Sequence, residues 1–276
     1  MKLKIGFLFL LMIFLFSACS IERKLALEFL RHAENKGVVL VVPPYSLEMY
    51  NNNEYNFDSV SLPDNFPLNE FLFQQTRLLK QVSDSVFLEN YLNSFIDQLN
   101  KRGFPVYLPG DLDAFRNAPG PHYVFKLAQL ELAESYYPYL VEEKIGKEEF
   151  RKAFELNRVT LQNWFEFEAV DTTWQKVFYA ENSVTDEFNG EFITDNASGK
   201  LVYYYAMDSL AVKDVYQMAD DVGYLYAGYL ADYLMNSFIE QHYPKEMQAS
   251  QFFHYDISSK MLFPFEGGFE EVSKPQ

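Results

Sequence analysis

The chain carries few side chains whose spacing fits acid–base, nucleophilic or metal chemistry. No two histidines have the spacing of metal ligands, and no G-x-S-x-G, H-E-x-x-H, P-loop or G-x-G-x-x-G motif is found. Glu166 and Glu168 would project from one strand face about 7 Å apart, a separation that glycosidases can use. Alternating glutamates are also ordinary on a solvated strand face, and we favour that interpretation. We therefore expect a protein that is not an enzyme and needs no metal or cofactor. The four histidines are His32, His122, His242 and His254.

Cys19 is the one residue whose surroundings predict a covalent modification. It is the only cysteine in the chain, which excludes an intrachain disulfide and a cysteine zinc site. Lys2 and Lys4 precede an apolar run over residues 5–16, and two small residues then lead to the cysteine. This order is typical of a signal peptide and its cleavage site. A membrane-spanning helix is one alternative, but it would need about 20 apolar residues. A secreted protein with a free Cys19 is another.

The segment that ends at Cys19 resembles a bacterial lipobox, in which small residues precede a cysteine. The resemblance implies that residues 1–18 are removed as a lipoprotein signal peptide and that the Cys19 thiol takes a diacylglycerol. Acyl chains of this kind anchor a protein to a membrane. No aspartate follows Cys19, which in Gram-negative sorting favours the outer membrane. We therefore expect a lipid-anchored protein of the outer membrane that faces the periplasm.

The composition is that of an acidic globular domain. The formal net charge is −16, which argues against nucleic acid as a partner because the phosphate backbone would be repelled. With 49% hydrophobic and 18% aromatic residues, the chain can bury a large core. We divide it into the signal peptide 1–18, a membrane-proximal helix 19–36, a single α/β domain 37–244 and a C-terminal extension 245–276.

The first half of the domain predicts a βαβ-like opening unit. Residues 21–35 have the pattern of a helix, which ends at Gly37. Val38–Val42 is a continuous apolar run, typical of a strand buried on both faces. A helix over 85–101, capped by Asp84 or Ser85, then leads to a second strand over 104–108. Residues 46–66 have no regular pattern and are predicted to form a long loop.

The second half is predicted to be rich in strands. Residues 123–134 fit a strand or a helix, and the alternation in Gln129–Leu132 favours a strand. The predicted fold class is α/β (α+β), with a mixed sheet of about five to seven strands, the βαβ-like unit and a long closing helix. That helix would cover about 210–241, capped by Asp208 or Ser209. Further strands are expected over 159–170, 174–180 and 200–207, with a hairpin turn at Asp195–Gly199.

Small side chains recur at every fourth residue along the predicted closing helix. They are Ala219, Gly223, Ala227 and Ala231. Such a stripe lets a helix approach another surface closely. We expect it to pack against the protein's own sheet, and docking of a partner helix is the alternative.

Two segments outside the regular core pattern are rich in aromatic residues, namely the loop 46–66 and the stretch 251–269. Exposed aromatic side chains supply rigid contact area and mark interfaces, so we predict partner binding there. An equally good alternative is that these side chains fold back and cover an edge of the sheet. The predicted binding residues are Tyr50, Tyr55, Phe57, Phe252, Phe253, Tyr255, Phe263 and Phe265.

The order of these elements resembles a group of periplasmic α/β domains. Such domains occur in auxiliary lipoproteins of ABC-type lipid transporters, in curli-secretion lipoproteins and in the N-terminal domain of the Tol system's propeller protein. The resemblance implies a non-catalytic lipoprotein that acts as an adaptor or scaffold for another envelope protein or transport complex. The alternative function is binding of a lipid or glycan, or its hydrolysis, and the identity of any small ligand stays open. The matching segments are Val38–Pro44, Phe104–Leu108, Tyr123–Glu134, Val159–Val170 and Val212–Ile239.

Overall fold

A computed structural model describes residues 20–53, 67–170, 175–244, 249, 251–264 and 269–272. The helices in that part of the chain are α1 (Ile21–Arg31), α2 (Ala33–Lys36), α3 (Leu68–Gln74), α4 (Asp84–Lys101), α5 (Leu112–Asn117) and α6 (Val212–His242). The strands are β1 (Val38–Val42), β2 (Leu47–Asn51), β3 (Val106–Tyr107), β4 (His122–Ile145), β5 (Glu148–Ala169), β6 (Gln175–Thr185), β7 (Glu187–Thr194), β8 (Leu201–Asp208), β9 (Phe253–Asp256), β10 (Met261–Pro264) and β11 (Glu270–Glu271).

One mixed sheet has the order β11-β6-β5-β4-β1-β3, and β2 pairs with β4 beyond the end of β1. The strands β1, β3 and β4 run parallel, whereas β4, β5 and β6 are joined as antiparallel neighbours. Because β1 and β3 are parallel and connected through α4, the predicted βαβ-like opening unit is confirmed. The predicted mixed sheet and long closing helix are confirmed as well.

Strand β1 is buried on both faces, as its continuous apolar run predicts. Val39 and Val41 belong to the main core between the sheet and the helices, and both are fully buried. Val38 and Leu40 point to the opposite face, where they pack with Phe115 of α5. Alternate side chains of a strand point to opposite faces, so both faces of this segment must be covered.

The small-residue stripe of α6 packs against helix α4, so the predicted contact with the sheet was wrong. A Cβ atom at Gly223 would lie 2.4 Å from the Tyr91 carbonyl oxygen of α4, a distance that only glycine permits. The larger residues of α6 contact the sheet instead. The ring of Tyr226 lies 5.5 Å from that of Phe165, and the ring of Tyr233 lies 5.9 Å from that of Phe167.

Two predicted helix caps and one predicted loop also need correction. Ser83, not Asp84 or Ser85, occupies the N-cap position of α4. Helix α6 begins at Val212, and the Asp214 carboxylate accepts the Ala211 N–H at 2.8 Å. Asp208 and Ser209 therefore lie before the cap. Within the predicted loop 46–66, Leu47–Asn51 forms β2 because it pairs with β4, and residues 54–66 lie outside the described part.

Strands β4 and β5 are much longer than the sequence pattern suggested. Pairing between β5 and β6 ends at Arg158 and Thr185, yet β4 and β5 remain paired as far as Ile145 and Glu148. The β7–β8 hairpin pairs as a separate two-stranded sheet. We call residues 136–157 together with 187–208 the arm. The β4 and β5 parts of the arm have about ten residues each, so at about 3.3 Å per residue they extend roughly 33 Å beyond the sheet.

Candidate interaction sites

The structure places the predicted binding residues in different environments. Cys19, Tyr55, Phe57 and Phe265 lie outside the described residues. Tyr50 is half-buried on β2, and its hydroxyl donates to Gln162 Oε1 at 3.4 Å. The predicted surface in the first loop is thus described only at this tyrosine, which packs on the sheet.

The predicted binding residues at the C-terminal end fall into buried and exposed groups. Phe253 is 2% exposed and belongs to the core, and Tyr255 is partly buried and packs against the same core. Phe252 and Phe263 are 45% and 42% exposed. The prediction of an exposed side chain is therefore wrong for Phe253, because burial of its ring ties β9 to α6. Asn236 of α6 holds the Phe253 backbone with two hydrogen bonds of 3.0 Å.

The last described segment covers an edge of the sheet, which is the alternative that the sequence left open. Glu270 and Glu271 pair with β6 as strand β11. The ring of Phe269 packs against aromatic rings of the core, among them Phe165 at 4.9 Å and Phe178 at 5.4 Å. An edge strand that gains a neighbour no longer presents unpaired backbone groups on that side.

A buried carboxylate on α6 fixes the β9 strand. Asp232 is 4% exposed. Its carboxylate accepts a hydrogen bond from His254 Nδ1 at 2.5 Å and one from the Tyr255 N–H at 3.0 Å. The hydrogen bond to Asp232 raises the pKa of His254, and burial and the nearby Arg102 partly oppose this shift. Arg102 is also buried and donates to the Tyr255 carbonyl oxygen at 2.9 Å. The side chains of Asp232, His254 and Arg102 therefore hold the β9–β10 hairpin against α6.

A groove of about 1130 Å³ lies between the C-terminal half of α6 and the ends of β4, β5 and β6. Its polar rim includes Asn35, His122, Glu240 and Gln241. The pKa of Tyr233 is raised to about 12, mainly by burial, so its hydroxyl stays neutral at physiological pH. Grooves with aromatic walls and a few polar groups suit ligands that have apolar faces. The aromatic walls are formed by Tyr123, Phe178, Tyr229, Tyr233, Phe238, Phe252 and Phe269.

A second cleft of about 560 Å³ lies at the start of α6, beside the base of the arm. Asp208 and Asp221 are among the carboxylates that line it, and no lysine or arginine is among its described lining residues. The Asp221 carboxylate accepts from the Gln217 amide at 3.0 Å. The cleft is thus acidic, but hydrogen bonds within the protein already engage part of its charge.

Glu166 and Glu168 form a structural contact with a lysine of the neighbouring strand. Lys126 Nζ lies 3.3 Å from Glu166 Oε2 and 2.7 Å from Glu168 Oε1. These hydrogen bonds, the one to Glu168 above all, raise the pKa of Lys126. Both carboxylates thus contact a lysine in a cross-strand ion pair, an arrangement that is ordinary on a solvated strand face.

The arm contains a second aromatic cluster, separate from the core. The rings of Tyr139 on β4 and Phe154 on β5 lie 5.6 Å and 4.4 Å from Phe188 of β7. Phe154 also lies 4.9 Å from Tyr205 of β8. The two hairpins are therefore stacked face to face, with aromatic rings between them. Sequence reasoning missed this cluster. The available signal was that Phe150, Phe154 and Leu156 fall on one face of a strand.

A buried aspartate joins the arm to the sheet. Asp186 is 3% exposed and accepts the Asn157 N–H at 2.7 Å and the Leu210 N–H at 2.7 Å. Its carboxylate thus links β5, the start of β7 and the segment that leads into α6. Three chain segments therefore meet at one carboxylate at the base of the arm.

The outer faces of the arm expose large apolar side chains. On the β7–β8 face, Ile193 lies opposite Val202, and Tyr204 follows on the same face at 51% exposure. On the β4–β5 face, Tyr136 and Leu140 are similarly exposed. Clustered exposed aromatic and aliphatic side chains mark interaction surfaces, whereas single ones need no explanation.

No protein-family model matches the chain, and no curated protein matches it. Among the described residues, no helix combines the length and apolar character needed to cross a membrane. The same residues contain no group of three or more His, Cys, Asp or Glu side chains that could hold a metal ion. Any functional assignment therefore rests on the geometry of the arm and the groove and on the N-terminal sequence.

Proposed function

We propose that the protein is a non-catalytic, lipid-anchored protein of the outer membrane that serves as an adaptor or scaffold and faces the periplasm. The arm is the observation that carries this proposal. It extends roughly 33 Å beyond the sheet at the usual rise per residue and exposes apolar side chains on both outer faces. Such an extension adds little to the core, but it provides a surface for an envelope protein or transport complex.

The N-terminal helix supports a position close to the membrane. Helix α1 starts two residues after Cys19, and its Ala26 and Phe29 are buried in the core. Glu22 is also buried and accepts the Tyr243 hydroxyl at 2.8 Å. A lipid on Cys19 would therefore hold the folded domain on a tether of only a few ångströms.

Site-specific photocrosslinking in intact cells tests the adaptor proposal. A photoreactive amino acid in place of Tyr204 on the arm should give one discrete crosslinked band that contains an envelope protein. The matched control is Tyr224 on α6, a tyrosine 42% exposed and outside the arm. No discrete band at Tyr204, or the same bands at both positions, would contradict the proposal.

Binding of a lipid or glycan is the second candidate function, and the groove beside α6 favours it. Aromatic walls can stack on sugar rings or hold acyl chains, and the polar rim can bind hydroxyl or head groups. Native mass spectrometry of the protein purified from its membrane should then show a bound molecule. Phe252→Ala in the groove should reduce its amount, whereas Phe263→Ala, equally exposed but outside the groove lining, should not.

A further inference from the structure

Strand β5 has an open edge over residues 148–156 of the arm, and hydrogen bonds between Asn157 and Asp186 close this edge at the base. Within the residues that the structure describes, Glu148–Leu156 pair only with β4, because β6 leaves the sheet at Thr185. Open strand edges present unpaired N–H and C=O groups and can pair with another chain unless the sequence prevents it.

The two edges of the arm differ in how they are protected. The β4 edge contains Pro138, which has no N–H, and the N–H of Tyr136 donates to Asn53 Oδ1 at 2.5 Å. Residues 148–157 of β5 contain no proline or glycine. The β5 edge is therefore the one that can accept a further strand.

The exposed edge of β5 has a self-complementary charge pattern. Residues 148–152 read Glu-Glu-Phe-Arg-Lys, so two negative charges and two positive charges flank one aromatic residue. In an antiparallel pair with a second copy centred on Phe150, Glu148 faces Lys152 of that copy and Glu149 faces Arg151. A register centred on Glu149 or Arg151 would instead place that residue opposite its own copy, and directly opposed like charges destabilise a strand pair.

The two faces of the arm are consistent with this pairing. Glu149 and Arg151 share the outer face, where Arg151 already contacts Glu142 at 3.0 Å and Glu149 at 3.5 Å. Phe150 lies on the inner face, with its ring 5.9 Å from Phe192 of β7. A two-fold axis perpendicular to the sheet keeps each residue on its own face. The β7–β8 hairpins of the two copies then lie on the same side of the extended sheet.

We propose that the protein self-associates through the β5 edge of the arm, with Phe150 at the two-fold axis. The partner is a second copy of this chain, selected by two kinds of ion pair that are each formed twice. The paired segment is short, so the dimer is weak in dilute solution, and high salt weakens it further. Confinement to a surface would raise the effective concentration of the arms and favour the dimer. The pairing requires neither the adaptor function nor its partner, and only the measurement in membranes rests on the proposed anchor.

Disulfide trapping in membranes tests the register. The full chain carrying Phe150→Cys is oxidised in isolated membranes, and dimers are counted on a non-reducing gel. Opposed residues of an antiparallel pair have Cβ atoms about 5 Å apart, so this variant should form several-fold more dimer than the control Ala153→Cys. Two copies of residue 153 would lie about 20 Å apart in this register. The wild-type chain controls for Cys19. Equal crosslinking at positions 150 and 153 would overturn the register.

Charge reversal tests the recognition itself without an introduced cysteine. Arg151→Glu with Lys152→Glu makes all four charges of the segment 148–152 negative, and Glu148→Lys with Glu149→Arg makes them all positive. Sedimentation in detergent is measured at high protein concentration and low salt, where the wild-type full chain should form the dimer. Each double variant should sediment there as a monomer, whereas their equimolar mixture should recover the dimer. The quadruple variant, with all four charges exchanged, should self-associate again. Dimerisation of either double variant alone, or failure of both the mixture and the quadruple variant to associate, would overturn the proposal.

Discussion

Single buried carboxylates hold segments that burial of apolar surface would not position by itself. Glu134 of β4 is 4% exposed and accepts the backbone N–H groups of Arg77, Leu78 and Leu79 at 2.6, 2.9 and 2.9 Å. Asp186 accepts a backbone N–H in the same way at the base of the arm, and Asp232 does so at β9. In each case an acidic side chain satisfies backbone donors that would otherwise be buried without a partner.

Replacement of Glu134 by alanine should therefore be costly. Three N–H groups, two of them buried with the carboxylate, would lose their acceptor, and we expect the free energy of unfolding to fall by about 3 kcal/mol. Urea denaturation followed by circular dichroism measures this change. The control is Glu155→Ala on the exposed part of β5, for which a change within about 0.5 kcal/mol is expected. Equal losses for the two variants would show that the Glu134 hydrogen bonds contribute nothing specific.

The contact between His254 and Asp232 should make stability depend on pH. Because the pKa of His254 is raised in the folded protein, the fold binds the imidazole proton more tightly than the unfolded chain does. The stabilisation is complete below the ordinary histidine pKa of about 6.5 and is lost as pH rises through the folded value. Asp256 adds to the shift and Arg102 opposes it. The difference in unfolding free energy between wild type and His254→Gln should thus be larger at about pH 6 than at about pH 9.

Asp232→Asn provides the control for this pH dependence. It removes the negative charge and keeps a side chain of similar shape, so the effect of His254→Gln in that background should change little with pH. A difference between wild type and His254→Gln that stays constant, or grows towards alkaline pH, would contradict the assignment.

At the scale of helices and strands, β1 provides the most direct test of the core. Val41 is fully buried, so Val41→Asp would place a charge in a dry environment at a cost of about 4 kcal/mol or more. Domains of this kind have a total stability of about 5–15 kcal/mol, and we expect the variant to be largely insoluble on expression. Val170→Asp, at a valine that is 55% exposed, should remain soluble. A soluble, folded Val41→Asp variant would contradict the burial of β1.

Packing of the Phe269 ring makes the C-terminal segment part of the folded core. This ring packs against several core rings, and Phe269→Ala should lower the free energy of unfolding by about 2 kcal/mol, less than for a fully buried phenylalanine. Phe263→Ala, on the exposed side of β10, should change it by less than about 0.5 kcal/mol. Deletion of residues 251–276 should lower the melting temperature further. Unchanged melting of the deletion variant would show that the segment serves binding alone.

The sequence correctly predicted those strands whose pattern of apolar residues follows from burial in the core alone. The continuous run Val38–Val42 and the alternation around Phe165 and Phe167 both identified strands correctly. It did not predict the arm, because Glu148–Asn157 are stabilised by rings of β7 and β8 that lie far away in the sequence. It also placed the stripe of α6 on the sheet, since periodicity shows that a helix has a close-packing face but not which element packs there.

The candidate sites could be predicted only in part for the same reason. Aromatic content identified the C-terminal segment, but composition cannot distinguish Phe253, which is buried, from Phe252, which is exposed. The hydrogen bonds between Asn236 and the Phe253 backbone set the orientation of β9, and this orientation determines which of the two rings is buried. Side chain to backbone contacts across 17 residues leave no periodic signal in the sequence.

At the scale of the whole molecule, the proposed anchor and the arm set how far the protein could act from a membrane. Only Ser20 lies between Cys19 and the first residue of the packed helix α1, so the two Cα–Cα steps from Cys19 to Ile21 span at most about 7 Å. The domain would therefore remain at the lipid surface, and any reach beyond its own diameter would come from the arm. This arrangement suits contact with a partner in or beside the same membrane.

The lipid anchor itself gives the last prediction. Cys19 is the only thiol of the chain, so Cys19→Ala should abolish incorporation of radiolabelled palmitate and leave the protein unprocessed or in the soluble fraction. Ser17→Ala keeps a small residue before the cysteine and should be labelled like wild type. Neither change touches the described fold, which begins at Ser20, so loss of labelling cannot be attributed to unfolding of the domain. Labelling that survives Cys19→Ala would refute the lipoprotein assignment, because no other residue of the chain could carry a thioether-linked lipid.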